Sequence, residues 1–260
     1  MKKLPTKKII LKSFNKIKDD YKNLLDIATV PFIIILPFYL YSVYYDEFVL
    51  DLFNTKGFVA FIRGSGTSKL IDYFILFPLT SAFLANWHRY VIFNGKKPWK
   101  YISLDFSKYT LQFIWTAIKI GLIFTIPAVA IMFGIVWISI NFIGLSFIYI
   151  GLIAYIVAAV FYFVRIALIF PATATEQNNS MKRIFKLTKN SFWQLLLINI
   201  SFILIILFFT IFLFIMESLY SSEGRILTTM IYSTFTLFYI FLSYSYLATC
   251  LSESYKYLKN

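Results

Sequence analysis

At 260 residues, 60% of them hydrophobic, and with a mean hydropathy of +0.74, the chain is too apolar for an ordinary soluble domain. Its formal net charge of +13 would suit nucleic acid if the cations formed one patch. They flank long apolar runs instead, which assigns the chain to the membrane, excludes nucleic acid as a partner, and leaves the single Cys250 as an inert small residue with no intrachain disulfide to form.

The amino end carries eight lysines, at 2, 3, 7, 8, 12, 16, 18 and 22, and Ile10, Phe14, Ile17 and Tyr21 recur at helical spacing. That pattern predicts a basic surface helix stopped near Asp19 and Asp20. The apolar run beyond it is too long for a signal-peptide core and ends in YLYSVYYDEF, so no cleavage is expected. A first span is predicted over 24–45, with Pro31 and Pro37 inside and tyrosines at its interface end. Residues 46–69 read as an irregular external loop carrying Asp46, Glu47 and Asp51. Its FVAFI run is too short to span, and its GSG at 64–66 lacks the Lys-Ser/Thr of a phosphate loop. A second span is predicted over 70–93, with Pro78 near its middle, and Asn94 and Gly95 then make a turn.

Residues 96–110 predict a second surface helix, with Pro98 at its first position and Trp99, Ile102, Phe106 and Tyr109 on its apolar face. Spans three and four are predicted over 111–140 and 142–170, joined by a tight uncharged turn around Asn141. Ala117, Gly121, Thr125 and Ala128 align on the first of these, and Gly144, Gly151, Ala154 and Ala158 on the second. Small residues let membrane helices approach closely, so a packed hairpin is expected.

The stretch RIALIFPATATEQNNSMKRIFKLTKNSFWQ, residues 165–194, closes span four and opens span five. Pro171 should end the helix before it. Arg165, near that end, should bury its stem and reach the headgroups. Ser180 is the expected N-cap of a third surface helix with Met181, Ile184, Phe185 and Thr188 on one face and Lys182, Arg183, Lys186 and Lys189 around the rest. Those four cations are candidate lipid-headgroup contacts, each worth about 1 kcal/mol near an anionic surface. Asn190 is expected to end the helix in the left-handed conformation, and Ser191 with Gln194 has capping-box spacing.

The run RIALIFPATA followed by SMKRIFKLTKNSFWQLL, with HRYVIFNGKKP at 88–98, resembles a pattern of uncharacterised multi-pass bacterial inner-membrane proteins. In these, an Arg and "LPA" end one helix and a "SxxxxWxLTxGNxWxLL" segment starts the next. They are the YciC-type proteins and the membrane domain attached to some glycerophosphoryl diester phosphodiesterases. The similarity covers residues 75–205; Asn190 stands in place of the usual Gly and Phe185 in place of the Trp. It implies a fold and a bacterial inner-membrane location rather than a reaction.

Span five is predicted over 191–216, Glu217 and Glu223 mark an external loop, and span six covers 226–250. Thr229, Ser233, Thr236, Ser243 and Cys250 form a stripe on span six that reads as interhelix packing. ESYKYLKN reads as a short polar tail. The layout suggests three units, 7–93, 97–170 and 180–250, each a surface helix and a two-span hairpin. Phe14, Tyr21, Leu24 and Leu25 match Phe185, Phe192, Leu195 and Leu196 at one offset. Basic residues cluster at the amino end, 88–110, 165–190 and the carboxyl end, which puts both termini in the cytoplasm.

The residues argue against familiar catalytic chemistry. His88, the one histidine, sits in NWHRY and reads as an interfacial anchor; no cofactor, metal site or catalytic residue is expected. Asp26, Lys119, Arg165 and Asn199 form a candidate intramembrane polar cluster, with an Asp26–Lys119 pair weighed against separate snorkelling of each side chain. The expectation is an all-α, six-span membrane bundle that acts without enzymatic chemistry and contacts anionic lipid headgroups, a membrane protein partner or a second copy of itself. The alternative is a transporter or channel for a small or lipid-like solute. A phospholipid-metabolising enzyme is a third reading, by analogy with the phosphodiesterase-linked relatives alone.

Overall fold

The computed structural model describes residues 3–53, 72–95, 107–138, 146–175, 180–219 and 225–259. In chain order these form α1 (Thr6–Asp19), α2 (Tyr21–Phe53), a π-helical turn (Asp72–Leu76) leading into α3 (Phe77–Ile92), α4 (Lys108–Ile138), α5 (Ser146–Ile166), α6 (Ile169–Thr175), α7 (Met181–Leu187), α8 (Phe192–Leu219) and α9 (Arg225–Lys259). The fold is an all-α membrane bundle. Five of these segments are long and apolar enough to cross a bilayer: Tyr21–Ser42, Lys108–Gly134, Ile150–Thr175, Phe192–Phe212 and Met230–Lys259. The chain is thus a multi-pass membrane protein.

The predicted second span, described from Asp72 onward, is the π turn followed by α3. Pro78 belongs to the first turn of α3 rather than to mid-span, where a missing N–H costs no intrahelical bond. α2, α4, α6 and α9 all pack on α3. It is therefore enclosed by protein, with Phe83, Ala85, Asn86, Trp87 and Val91 wholly buried. Its end is a complete Schellman motif: the Gly95 amide donates to Tyr90 O at 2.9 Å and the Asn94 amide to Val91 O at 3.3 Å. Asn94 and Gly95 both take positive φ, 55° and 87°, as the predicted Asn-Gly turn requires.

The protein core is concentrated at the end of the bundle where the basic segments lie. On α4 the buried residues are Thr110, Phe113 and Ile120; on α5, Val164 and Ile166; on α8, Leu195, Ile198 and Asn199. The far halves of α4, α5 and α8 present Ile126, Phe133, Ile153, Val157, Leu204 and Phe208 outward. In a bilayer those side chains are solvated by acyl chains as well as they would be by protein, so nothing drives them together except shape.

Several boundaries differ from the sequence reading. α2 runs on to Phe53 and takes in the start of the predicted external loop, because 46–53 contains no Gly or Pro to stop it. FVAFI, the GSG turn, the Asn141 turn, Glu223 and most of the predicted surface helix 96–110 lie outside the described residues. α5 breaks at Ala167 and Leu168, ahead of Pro171. The cause is still Pro171: it cannot donate to the carbonyl four residues back, which is that of Ala167, and α6 restarts with Pro171 in its first turn. The small-residue stripes do not form the hairpin contact. Gly121, Thr125, Ala154 and Ala158 face outward, and α4 meets α5 through bulk: the Tyr155 hydroxyl donates to Phe124 O at 3.1 Å and Phe124 packs edge-on to Phe163. ESYKYLKN is not a free tail, since α9 continues to Lys259 with Glu253, Ser254 and Tyr255 buried.

Candidate functional site

The third surface helix forms as its sequence dictates. Ser180 is extended (φ −91°, ψ 139°), and its hydroxyl accepts the Arg183 amide at 3.3 Å. Ile184 and Thr188 are buried, Met181 and Phe185 are half-buried, and Lys182, Arg183, Lys186 and Lys189 are all exposed. Asn190 does not supply a left-handed stop: among the described non-glycine residues only Asn94 has positive φ. α7 ends instead at Thr188, whose hydroxyl bonds back to Ile184 O at 2.9 Å.

Arg165 explains how so short a helix is held. Rather than reaching outward, its guanidinium donates to Phe185 O at 2.7 Å and to Thr188 Oγ1 at 3.4 Å, and lies over the Phe161 and Phe185 rings. A cation here satisfies a carbonyl of the last turn of α7 and complements the negative end of its dipole. The site is a seven-residue helix clamped by its apolar face and its carboxyl end, presenting Lys182, Arg183 and Lys186 outward, with Lys189 exposed just past its end.

α1 is held as firmly but on a different face from the one its periodicity picks out. Ile9 and Ser13 are buried, while Phe14 and Tyr21 of the predicted apolar face are exposed. The bundle takes the Ile9–Ser13 stripe because α9 offers Cys250, Leu251 and Tyr255 there. Phe14 is left for lipid. The helix stops at Asp20, whose amide donates to Lys16 O at 2.9 Å, as the paired aspartates predict.

Between these helices lies a buried polar core that the sequence reading did not assemble. The Trp87 indole N–H donates to Ser245 O (3.1 Å) and Thr249 Oγ1 (2.9 Å). His88 Nδ1 is 2.7 Å from Ser252 Oγ, and its ring packs on Phe113. The Glu253 carboxylate accepts from Lys12 at 2.6 Å and from Lys256 at 3.4 Å. Lys256 also donates to Asn94 Oδ1 at 2.6 Å, tying α9 to the end of α3. His88 is therefore a core residue, not an interfacial anchor. A Ser–His contact of this length has nucleophile–base spacing, but both side chains are enclosed and no reacting atom could sit beside them. The signal for this core was visible in part: Ser245, Thr249 and Ser252 share one face of α9, whereas Glu253 was hidden by its tail-like setting.

The four residues proposed as an intramembrane cluster are not brought together. Asp26 is exposed on α2 and Lys119 exposed on α4, two helices that pack on α3 but not substantially on each other. The Lys119 ammonium lies over Trp115 on its own helix, 5.3 Å from the ring centre. Arg165 serves α7, and Asn199 is buried with its amide on Leu195 O at 2.8 Å. Lys119, Arg165 and Asn199 thus each have their own separate contacts. Of the hydroxyl stripe, Thr236 bonds Tyr232 O on its own helix, as do the neighbouring Ser245 and Thr249 to Phe241 O and Ser245 O, while Ser243 is buried. Among the described residues no three His, Cys, Asp or Glu side chains converge as a metal site would require.

Compared with known proteins, the chain matches no family model, no curated protein and no solved structure.

Proposed function

We propose that this chain is a non-enzymatic protein of a bacterial inner membrane, with both termini cytoplasmic, whose basic collar engages anionic lipid headgroups. The observation that carries the reading is α7. Its apolar face and carboxyl end are fixed to the bundle, while Lys182, Arg183, Lys186 and Lys189 all remain outside. A helix needed only to reverse the chain has no use for such anchoring, whereas a headgroup contact gains from cations fixed at one level. The bias of Lys and Arg toward one set of loops and the YciC-type motifs support the bacterial inner membrane and the orientation. The transporter alternative needs polar groups facing a shared path, whereas the Thr236, Ser245 and Thr249 hydroxyls donate to carbonyls of their own helix and Ser252 is closed against His88.

The test is thermal stability in nanodiscs, anionic against zwitterionic lipid, for the wild type and a variant with all four collar residues changed to Gln. The wild type gains a higher Tm from anionic lipid, and the variant loses more than half of that gain. Equal gains in both proteins would overturn the reading.

A further inference from the structure

A second basic surface lies on α1. A shallow, open groove formed by α1 alone runs along it, lined among others by Lys7, Lys8, Leu11, Lys12, Asn15 and Lys16. Its lining carries four lysines and one carboxylate, Asp19, so it is net positive. Lys12 and Lys16 are already steadied by Glu253 and Asp20, each at 2.6 Å. Lys7 and Lys8 are exposed and have no carboxylate partner among the described residues. The Lys12 ammonium has three donors and gives one to Glu253, so it can serve a ligand without releasing the core.

The helix beneath is rigidly placed, since Leu4, Ile9 and Ser13 are buried and belong to its contact with the bundle. Lys8 and Lys12 are one turn apart, roughly 6 Å along the axis, and Lys16 one turn further. One phosphate cannot reach the whole row. At one edge of the Lys8–Lys12–Lys16 row come Leu11, then Lys7, then Phe14, with Leu11 and Phe14 exposed at 55% and 60%. A charged row with an apolar edge matches a lipid rather than a soluble anion.

We infer that the α1 groove holds the headgroup of a lipid carrying two phosphates, with Lys7, Lys8 and Lys12 on the phosphates and Leu11 and Phe14 along the acyl chains. This inference rests on the lipid-contact reading above and adds a discrete site and a lipid class.

Native mass spectrometry of the full chain in detergent tests it. The wild type, Lys7→Gln/Lys8→Gln and the α7 quadruple variant are offered diphosphatidylglycerol, phosphatidylglycerol at equal total charge, or inorganic pyrophosphate, with Tm as the check on folding. Lys12 is left intact so that the variant changes only lysines that have no carboxylate partner among the described residues. The wild type retains the two-phosphate lipid preferentially, the α1 variant binds it about thirtyfold more weakly, and the α7 variant keeps the preference. Retention of both lipids without preference, or a preference lost only in the α7 variant, overturns the α1 site and leaves the collar standing. Pyrophosphate bound as tightly as the lipid overturns the lipid assignment. No anionic lipid retained by any form overturns both readings.

Discussion

At the scale of single residues, the polar groups that matter are those shared between helices. Glu253 is nearly enclosed, with 7% of its side chain exposed, while its partner Lys12 is 54% exposed. Removing one partner of a buried pair costs far more than loosening an exposed one, because the charge left behind is unsolvated. Lys12→Gln/Lys256→Gln, which leaves the enclosed carboxylate with neither cation, therefore destabilises the detergent-solubilised protein markedly, by about 2–4 kcal/mol. Lys12→Gln costs at most about 1 kcal/mol, because Lys256 stays with the carboxylate. Thermal or denaturant unfolding of the two variants decides the order; equal losses would mean that Glu253 is solvated. His88 shows why this layer was hidden. A histidine between Trp and Arg at the end of an apolar run looks like an interfacial anchor, and its partner, Ser252, is 164 positions away. Cys250, by contrast, is the buried small residue its setting implied.

At the scale of elements, local chemistry was legible wherever the determinant lies within one turn. The Ser180 cap, the apolar face of α7, the stop at Asp20 and the Asn94–Gly95 turn all follow from adjacent residues. Pro171 marks a helix break in the sequence, and the break falls at Ala167, four residues earlier, because the lost bond belongs to that carbonyl. Which face of α1 turns inward was not legible, since the choice between Phe14 and Ser13 depends on α9. The stripes around Gly121 and Ala154 misled for a related reason: small residues permit close approach but do not compel it, and Phe124, Tyr155 and Phe163 make the contact instead. Arg165 ties α7 to the bundle through Phe185 O and Thr188 Oγ1. Arg165→Gln loses the charge and the ring stacking and leaves α7 to fray. Hydrogen exchange of amides 181–188 rises by at least tenfold, equivalent to about 1.4 kcal/mol of local opening, while exchange in α3 stays unchanged. Unaltered protection of α7 would show that Ile184 holds the helix by itself.

At the scale of the molecule, hydropathy was sufficient for the class, because a bilayer admits few ways to satisfy a backbone in hydrocarbon and long apolar helices are the simplest. It was not sufficient for the packing order. α3 has a modest apolar content and holds the central place, while the more apolar α4 and α8 stand at the periphery with lipid on most of their length. The result is a bundle knitted together at its basic end and open to acyl chains at the other. The collar at the knitted end is the proposed lipid-binding surface, and the lipid that the protein carries out of its own membrane reports on it. Headgroups that co-purify with the wild type and with the Lys182→Gln, Arg183→Gln, Lys186→Gln, Lys189→Gln variant are counted per mole of protein. Anionic lipid enriched over the bulk membrane on the wild type and depleted on the variant is the predicted result; the same anionic content on both would contradict the account.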